Sequence, residues 1–552
     1  MYEPDFRALS LYQIWIRSFC DGNGDGIGDL IGVESKLEYI KSLGVDGIWF
    51  SPIYPSPNAD YGYDISDYRA IHPDYGTMED FRRLLDKAHA LGLKVILDLV
   101  VNHTSDEHRW FLESRRSRDN PYSDYYIWRD PRFRGEERLP PNNWFSQFEG
   151  LAWEYAPERG QYYLHVFAKK QPDLNMDNPR VREEVKGIMR FWLDMGVDGF
   201  REDVITYISK HHDLPDGIPF LPAINGLRFY KDGPNLVKYL REFREVAREY
   251  GALQIGEAPM TPVDTALTYI SGDDRVLDMM IEFDTMYADC LFTEYVRLPF
   301  SLRRLKRAFS KWQYKLQGRA WNTLYLENHD HPRVISRYGS EKMRRESGKA
   351  LAAAYIFQQG VPFIYQGQEI GMLNIALPSI DDYIDVASKN SYNSIFAFES
   401  PARRLRRVQY GSRDSARTPM QWTSGENAGF TTGKPWFFVN PNYKEINAEE
   451  EERDEGSILN FYRACLALRK VTPALLYGEY REYKRLSGRI FMYTRSYEGE
   501  RVLIVVSFSE KRVKYRLPRA LRGGEAKLLL GSYRGREALY ALRPYEAQVW
   551  KL

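Results

Sequence analysis

The stretches LGVDGIWF (43–50) and MGVDGFRED (195–203) share one arrangement, in which a glycine is followed by a short apolar run. In front of each, apolar residues recur at helical spacing, so the glycine is expected to end a helix. A third copy begins with Thr77 as predicted N-cap, ends its helix at Gly92 and continues into an apolar run at 94–98. A helix ended by glycine and followed by a buried strand is typical of α/β units with a parallel sheet.

This pattern predicts the fold. The strand candidates number eight: 11–16, 45–50, 94–98, 197–201, 253–257, 279–283, 322–327 and 361–365. Eight strands alternating with helices favour an α/β fold of the (β/α)₈ TIM barrel type, although periodicity alone leaves a doubly wound sheet open. The segment after the third strand is too long for a loop and predicts a small inserted domain, and the alternating C-terminal segment predicts an antiparallel β-sandwich domain. The predicted boundaries are 1–103 and 174–477 for the barrel, 104–173 for the insert and 478–552 for the C-terminal domain.

Composition excludes several classes of partner. The 552 residues carry a formal net charge of +1, which gives no electrostatic reason to expect nucleic acid or an anionic membrane. No basic and then apolar leader is visible, and no apolar run reaches the roughly 18 residues of a membrane span. Three scattered cysteines form neither a metal cluster nor a disulfide framework. We therefore expect a soluble, cytoplasmic protein. We also expect it to be a monomer or a weak homo-oligomer.

Acidic residues recur where the predicted strands end. Asp98 is followed by Asn102 and His103, and the later strand ends carry Arg201 with Asp203, Glu257, and Asn328-His329-Asp330. In a barrel, these carboxyl ends meet at the face that carries the chemistry. Carboxylates with so few His and Cys nearby suit acid–base or nucleophilic work on a neutral substrate better than a zinc site.

These strand ends also carry a resemblance to a known family. DLVVNH (98–103), QPDLN (171–175), GFRED (199–203), IGEA (255–258) and ENHDHPR (327–333) resemble the conserved regions of the α-amylase superfamily, glycoside hydrolase family 13. Four longer segments are similar to its oligo-1,6-glucosidase and dextran glucosidase branch: YQIWIRSFCDGNGDGIGDL (12–30), NADYGYDISDY (58–68), ARTPMQW (416–422) and WFFVNPNYKEIN (436–447). The resemblance covers nearly the whole chain.

The resemblance implies a retaining α-glucosidase with three catalytic carboxyl groups. Asp203 would be the nucleophile, Glu257 the acid and then the base, and Asp330 the group that grips sugar hydroxyls near the anomeric carbon. Arg201, two residues before Asp203 on a strand, is expected to point to the same face and to keep Asp203 ionised. The other implied substrate-binding residues are His103 and His329 as hydrogen-bond donors, Tyr63 as stacking platform, Asp60 and Arg417 as the pair that closes the pocket, and Phe145, Phe167 and Gln171 at its rim.

Closure by Asp60 and Arg417 would make the enzyme exo-acting. Within this branch, Val after the nucleophile is typical of α-1,6-specific enzymes, so Val204 implies a preference for isomaltose and isomalto-oligosaccharides. Three alternatives on the same scaffold stay open: a transglycosylating or sucrose-isomerising enzyme, a trehalose-6-phosphate hydrolase, and a non-catalytic transporter subunit.

Glu202 stands where the branch has an apolar residue, and we expect it to need a partner behind the sheet.

The stretch DGNGDGIGDL (21–30) is rich in oxygen-bearing side chains. An EF-hand is excluded, because its twelfth position would be Gly32 and a predicted strand precedes the loop. The resemblance implies one structural Ca²⁺ instead, and its implied ligands are Asp21, Asn23, Asp25, the carbonyl of Ile27, and Asp29.

Overall fold

The computed structural model describes residues 5–148, 150–218, 224–291, 293–393, 396–523, 525–535 and 539–552. The strands up to the end of the insert are β1 (Leu11–Ile14), β2 (Gly47–Phe50), β3 (Lys94–Leu99), β4 (Trp128–Arg129), β5 (Arg132–Arg134), β6 (Glu137–Leu139), β7 (Trp153–Ala156) and β8 (Gln161–Leu164). The next are β9 (Gly199–Glu202), β10 (Leu253–Glu257), β11 (Met279–Ile281), β12 (Cys290–Leu291), β13 (Thr293–Arg297), β14 (Thr323–Leu324) and β15 (Val361–Tyr365). The C-terminal strands are β16 (Glu479–Tyr483), β17 (Ile490–Tyr497), β18 (Glu500–Ser507), β19 (Val513–Lys514), β20 (Lys527–Gly531), β21 (Ala541–Leu542) and β22 (Ala547–Lys551).

Helices separate the strands of the barrel. The first eight are α1 (Leu30–Ser35), α2 (Leu37–Ser42), α3 (Met78–Ala90), α4 (Arg109–Arg116), α5 (Pro179–Asp194), α6 (Leu227–Tyr230), α7 (Leu236–Tyr250) and α8 (Val263–Ile270). The others are α9 (Leu302–Leu316), α10 (Val334–Tyr338), α11 (Arg344–Ile356), α12 (Val386–Asn393), α13 (Pro401–Gly411), α14 (Ala448–Arg453), α15 (Ile458–Val471) and α16 (Pro473–Tyr477).

One parallel sheet of eight strands forms the barrel. Its order is β11-β10-β9-β3-β2-β1-β15-β14, and all neighbouring pairs run parallel. The two end strands meet, because Thr323 Oγ1 donates to the Met280 carbonyl at 2.8 Å and the Tyr325 hydroxyl donates to the Glu282 carbonyl at 2.5 Å. The sheet therefore closes on itself, which confirms the predicted (β/α)₈ barrel and excludes the doubly wound alternative.

The helix ends contain the capping residues that the sequence predicted. Thr77 and Asp80 form a capping box at the start of α3, each side chain accepting from the other residue's backbone N–H. Gly251 ends α7 at φ +64°, a left-handed conformation that glycine adopts without a Cβ clash, and its N–H bonds back to Ala247.

The segment between β3 and α5 leaves the barrel and returns to it. It contains α4, the antiparallel sheet β4-β8-β7 and the hairpin β5-β6. Its two ends are joined by an antiparallel bridge between His103 and Asp173. The insert therefore emerges next to the third strand end, where its residues can form a wall above the barrel face.

The C-terminal strands form an antiparallel sheet in the order β16-β17-β18-β22-β20, with the pair β19-β21 beside it. Side chains from both share one apolar cluster, which includes Met492, Leu503, Tyr515 and Leu542. Among the described residues, no helix combines the length and apolarity needed to cross a membrane.

Candidate active site

A cavity of about 800 Å³ opens at the carboxyl ends of the barrel strands. The predicted site residues that line it are Asp60, Tyr63, His103, Phe145, Phe167, Asp203, Val204, Glu257 and Asp330. Four other predicted residues, Gln171, Arg201, His329 and Arg417, are each 0% exposed and lie behind this lining. The barrel therefore brings together side chains that are far apart in sequence.

Arg201 lies at the centre of a buried group of carboxylates. One terminal nitrogen of its guanidinium donates to Asp98 Oδ1 at 2.8 Å and to Asp203 Oδ1 at 2.7 Å, and the other forms an ion pair with Glu257. The geometry arises because β9 has β3 on one side and β10 on the other, with Arg201 paired to Asp98 and Ile255. Because one guanidinium contacts both Asp203 and Glu257, their carboxyl groups lie close together on the same cavity wall.

Val204, directly after Asp203, has φ +34° and ψ +41°. This left-handed conformation is rare for a β-branched residue and stores roughly 1–3 kcal/mol of strain. It directs the Val204 N–H onto Glu257 Oε2 at 3.0 Å. The backbone after Asp203 therefore fixes the orientation of Glu257.

Asp330 is held from behind by His329. His329 Nδ1 faces the Gln13 amide at 2.7 Å, and Nε2 faces Asp330 Oδ2 at 2.9 Å and the Tyr63 hydroxyl at 2.6 Å. The Tyr63 ring stacks on His329 at a centroid distance of 5.2 Å, and its hydroxyl also donates to Asp98 at 3.0 Å. These contacts tie Asp330 to the carboxylate group around Arg201.

One end of the cavity is closed by a second arginine. Arg413 contacts Asp60 at 3.1 Å, Asp330 at 3.1 Å and Asp385 at 2.7 Å. The prediction that Arg417 pairs with Asp60 is therefore wrong. Arg417 lies deeper, where it donates to the His329 carbonyl at 3.1 Å and to Asp330 at 3.2 Å.

Gln171 also acts from behind the wall, and not at the rim as predicted. Its amide lies 3.2 Å from Asp60 Oδ2 and 3.1 Å from His103 Nε2. It therefore orients Asp60 and His103, two residues that do line the cavity.

Burial governs the protonation of the site. Burial raises the pKa of Asp203 well above its ordinary value. The charge of Arg201 lowers this pKa, whereas the charges of Glu257 and Asp98 raise it further. Burial also raises the pKa of Asp98 to about 6. Arg201 therefore does not by itself keep Asp203 ionised, since three carboxyl groups share one guanidinium. The group as a whole retains a proton at a pH where isolated carboxyls are ionised.

Two histidines and Asp330 have charge states that follow from their surroundings. Burial lowers the pKa of His103 and of His329 to about 4, so both rings are neutral near pH 7. Burial opposes ionisation of Asp330, but His329, Arg413 and Arg417 outweigh it and lower the pKa of Asp330 well below its usual range. Asp330 is therefore an ionised carboxylate.

A family comparison agrees with this geometry. The model of the alpha amylase catalytic domain matches residues 13–478. The chain belongs to the alpha-amylase family. This confirms the resemblance inferred from the strand-end motifs.

Known alpha-amylase family proteins match almost the entire chain. An oligo-1,6-glucosidase of Parageobacillus thermoglucosidasius is 48% identical over 99% of both chains. The trehalose-6-phosphate hydrolase structure from Bacillus licheniformis has a TM-score of 0.93 at 42% identity over 99% of both chains. The trehalulose synthase structure from Pseudomonas mesoacidophila MX-45 has a TM-score of 0.93 at 40% identity over 100% of both chains.

Sequence reasoning missed a group of cavity residues in this family member. They lie in loops after β9, β11 and β14, in β13 and in the segment before Arg417: Tyr207, Phe283, Tyr287, Glu294, Tyr295, His331 and Arg413. His331 lies within ENHDHPR (327–333), and Arg413 lies shortly before ARTPMQW (416–422). Residue type alone does not show which residues of such a segment face the cavity. The others carry no sequence signal, because their role depends on contacts between distant loops.

Glu202 has the partner that its position demanded. It is fully buried on the face of β9 opposite Asp203, and Gln254 of β10 donates to its Oε1 at 2.7 Å. Burial raises the pKa of Glu202 to about 7. Glu202 is therefore a protonated or half-protonated carboxyl group near neutral pH.

The predicted calcium loop has hard oxygen donors but not a convergent set. Asp21 accepts from the Gly24 and Gly26 N–H groups, and Asp29 accepts from the Gly22 and Gly32 N–H groups. Within the described ranges, no group of three Asp, Glu, His or Cys residues is arranged to hold a metal ion. The donor chemistry suits Ca²⁺, and the calcium site stays a prediction.

Proposed function

We propose that this protein is a retaining, exo-acting α-glucosidase. It hydrolyses terminal, non-reducing α-glucosidic bonds of short oligosaccharides and prefers α-1,6 bonds, as in isomaltose. The observation that carries the proposal is the pairing of Asp203 and Glu257 with one buried guanidinium on the wall of a closed-ended cavity.

The pairing suits a double displacement. Retaining glycosidases need two carboxyl groups about 5–5.5 Å apart, one ionised and one protonated. Two carboxyl groups on the two terminal nitrogens of Arg201 are compatible with such a spacing, and the raised pKa of Asp203 supports a buried group that can hold the proton this chemistry needs.

In the first step, an Asp203 oxygen bonds to the anomeric carbon as the glycosidic bond breaks, and Glu257 gives its proton to the departing oxygen. In the second step, Glu257 takes a proton from water, whose oxygen attacks the same carbon and releases Asp203. The ionised Asp330 binds sugar hydroxyls and favours the positive charge that develops on the ring.

The closed end supports exo action. Asp60, Asp330 and Asp385 surround Arg413, so a sugar that enters from the mouth meets a polar wall at that end. A chain end fits such a pocket, whereas an internal segment of a long glucan does not. Terminal glucose is therefore the expected product.

The charges of the cavity favour a neutral substrate over a sugar phosphate. Among the described lining residues there are five side chains with carboxyl groups, and the one guanidinium or ammonium group is that of Arg413, which Asp60 and Asp330 already engage. A phosphate would add negative charge, and the described lining residues offer no free cation beside it. Val204 next to the nucleophile and the oligo-1,6-glucosidase relatives support the α-1,6 preference.

A substrate panel tests the proposal. Isomaltose, maltose, sucrose, trehalose-6-phosphate and dextran are incubated with the protein, with Asp203→Asn as blank, and the products are separated by chromatography. We expect the highest kcat/KM on isomaltose, with glucose as product and no activity in the blank. Highest activity on trehalose-6-phosphate, or conversion of sucrose into an isomer, would replace the proposal with the corresponding alternative.

A further inference from the structure

A histidine and a glutamate form a pair on the cavity wall that the steps above do not use. Glu294 belongs to β13, and His331 follows Asp330 in the loop after β14. His331 Nδ1 contacts the Glu294 carboxylate, and both side chains line the cavity.

The other ring nitrogen of His331 has no hydrogen-bond partner among the described residues. Within the described part of the chain, Nε2 is buried and makes no hydrogen bond, and the residue is only 2% exposed. In the tautomer that carries its proton on Nδ1, where the Glu294 carboxylate accepts it, Nε2 presents a lone pair as an acceptor. A buried polar atom left unpaired is costly, so a ligand hydroxyl that donates to Nε2 would remove that cost.

The glutamate is itself held in place. Arg337 lies 3.6 Å from Glu294 and is anchored to Asp289 at 2.6 Å. The edge of Phe283 packs against His331 at a ring-centroid distance of 5.5 Å. The His331 ring is therefore oriented before any substrate enters.

The strand order connects the pair to Glu257. Phe283 follows β11, which pairs with β10, the strand that ends at Glu257. Tyr287, in the same loop as Phe283, lines the cavity together with Glu257 and Glu294. Glu257 protonates the bond to the leaving sugar, so that sugar lies on the side of the cavity next to Glu257.

We propose that His331, oriented by Glu294, accepts a hydrogen bond from a hydroxyl of the leaving sugar and so selects sugar leaving groups over other aglycones. The inference rests on the proposed function, because it assigns a substrate contact within the same site.

The experiment compares two substrates that share the glucosyl part. In isomaltose the leaving group is a sugar, and in 4-nitrophenyl α-glucoside it is an aryl group that lacks sugar hydroxyls. We expect His331→Ala to lower the ratio of kcat/KM for isomaltose to that for the aryl glucoside about 10-fold, the size of one lost hydrogen bond. His331→Gln, whose amide oxygen can accept the same bond, should recover most of the ratio.

Two further variants separate binding from general damage. Glu294→Ala should also lower the ratio, and the double variant should cost no more than His331→Ala alone, because the two residues act as a unit. His108→Ala is the matched control, since His108 is a buried histidine that caps α4 and does not line the cavity. Its ratio should stay unchanged even if its thermal midpoint falls.

The inference is overturned if His331→Ala leaves the ratio unchanged, or if it lowers activity equally on both substrates. A wild-type protein inactive on both substrates overturns the proposed function and, with it, this inference. The wild-type and variant measurements therefore distinguish the two failures.

Discussion

Replacing Arg201 by lysine separates charge from geometry at the centre of the site. Lysine keeps the positive charge but offers one nitrogen where arginine has two terminal nitrogens, one on Asp98 and Asp203 and the other on Glu257. Arg201→Lys therefore keeps the charge beside Asp203 and loses the contact with Glu257. A charge-assisted contact is worth about 1.5–3 kcal/mol, so we expect kcat on isomaltose to fall about 10- to 150-fold.

Arg201→Gln removes the charge as well. Arg201 lowers the pKa values of Asp98 and Asp203, so without it those pKa values rise, and the acidic limb of the kcat/KM profile should move to higher pH. In Arg201→Lys the same limb should stay near its wild-type position. The assay is a pH series of initial rates on isomaltose, together with thermal denaturation of each variant.

Arg495→Lys is the matched control for these variants. Arg495 is also fully buried, but it donates to backbone carbonyls around the C-terminal sheet. This variant should lose stability and keep kcat. Full kcat in Arg201→Lys, or an unmoved acidic limb in Arg201→Gln, would refute the role given to the guanidinium.

Three other outcomes follow from the structure. The pKa of Glu202 is raised from 4.5 to about 7, so the folded protein keeps a proton that the unfolded chain releases. The stability this contributes is complete below about pH 4.5 and is lost by about pH 7, roughly 3 kcal/mol in all. In urea unfolding at about pH 4.5 and about pH 7, Glu202→Gln should lose less unfolding free energy between the two pH values than the wild type does. An equal loss in both proteins would contradict this account of Glu202. Val204→Thr should lower the isomaltose-to-maltose ratio of kcat/KM, and an unchanged ratio would remove Val204 from the specificity argument. If the loop at 21–30 binds Ca²⁺, elemental analysis should find one calcium per chain and chelation should lower the thermal midpoint, whereas Asp25→Asn should weaken both effects; a metal-free protein whose midpoint ignores chelator would end the calcium prediction.

The barrel could be predicted because its signals are local. A helix, a glycine at its end and an apolar strand lie within some 25 residues, so repeats of the pattern gave the strand positions to within a few residues. The strand at 322–327 was predicted too long, since only Thr323–Leu324 pairs with β15. The chain after Leu324 turns into the loop that carries His329 and Asp330.

The pocket closure was mispredicted because it depends on long-range geometry. Arg413 and Arg417 stand four residues apart in one irregular segment, and only the packing of that segment against Asp60 decides which guanidinium reaches the cavity. The pair of Glu294 and His331 was likewise beyond prediction, since 37 positions separate two residues that meet through the fold. Site residues within the motifs that carry the resemblance, such as Asp203 and Asp330, could be predicted, whereas contacts between distant loops could not.

The central claim is that Asp203 and Glu257 act on the same sugar from one cavity wall by double displacement. Proton NMR of isomaltose hydrolysis, recorded before the anomers equilibrate, tests it most directly. We predict that the α-anomer of the glucose from the non-reducing unit appears first and that Asp203→Asn releases none. Initial release of the β-anomer, or wild-type turnover in Asp203→Asn, would contradict the mechanism.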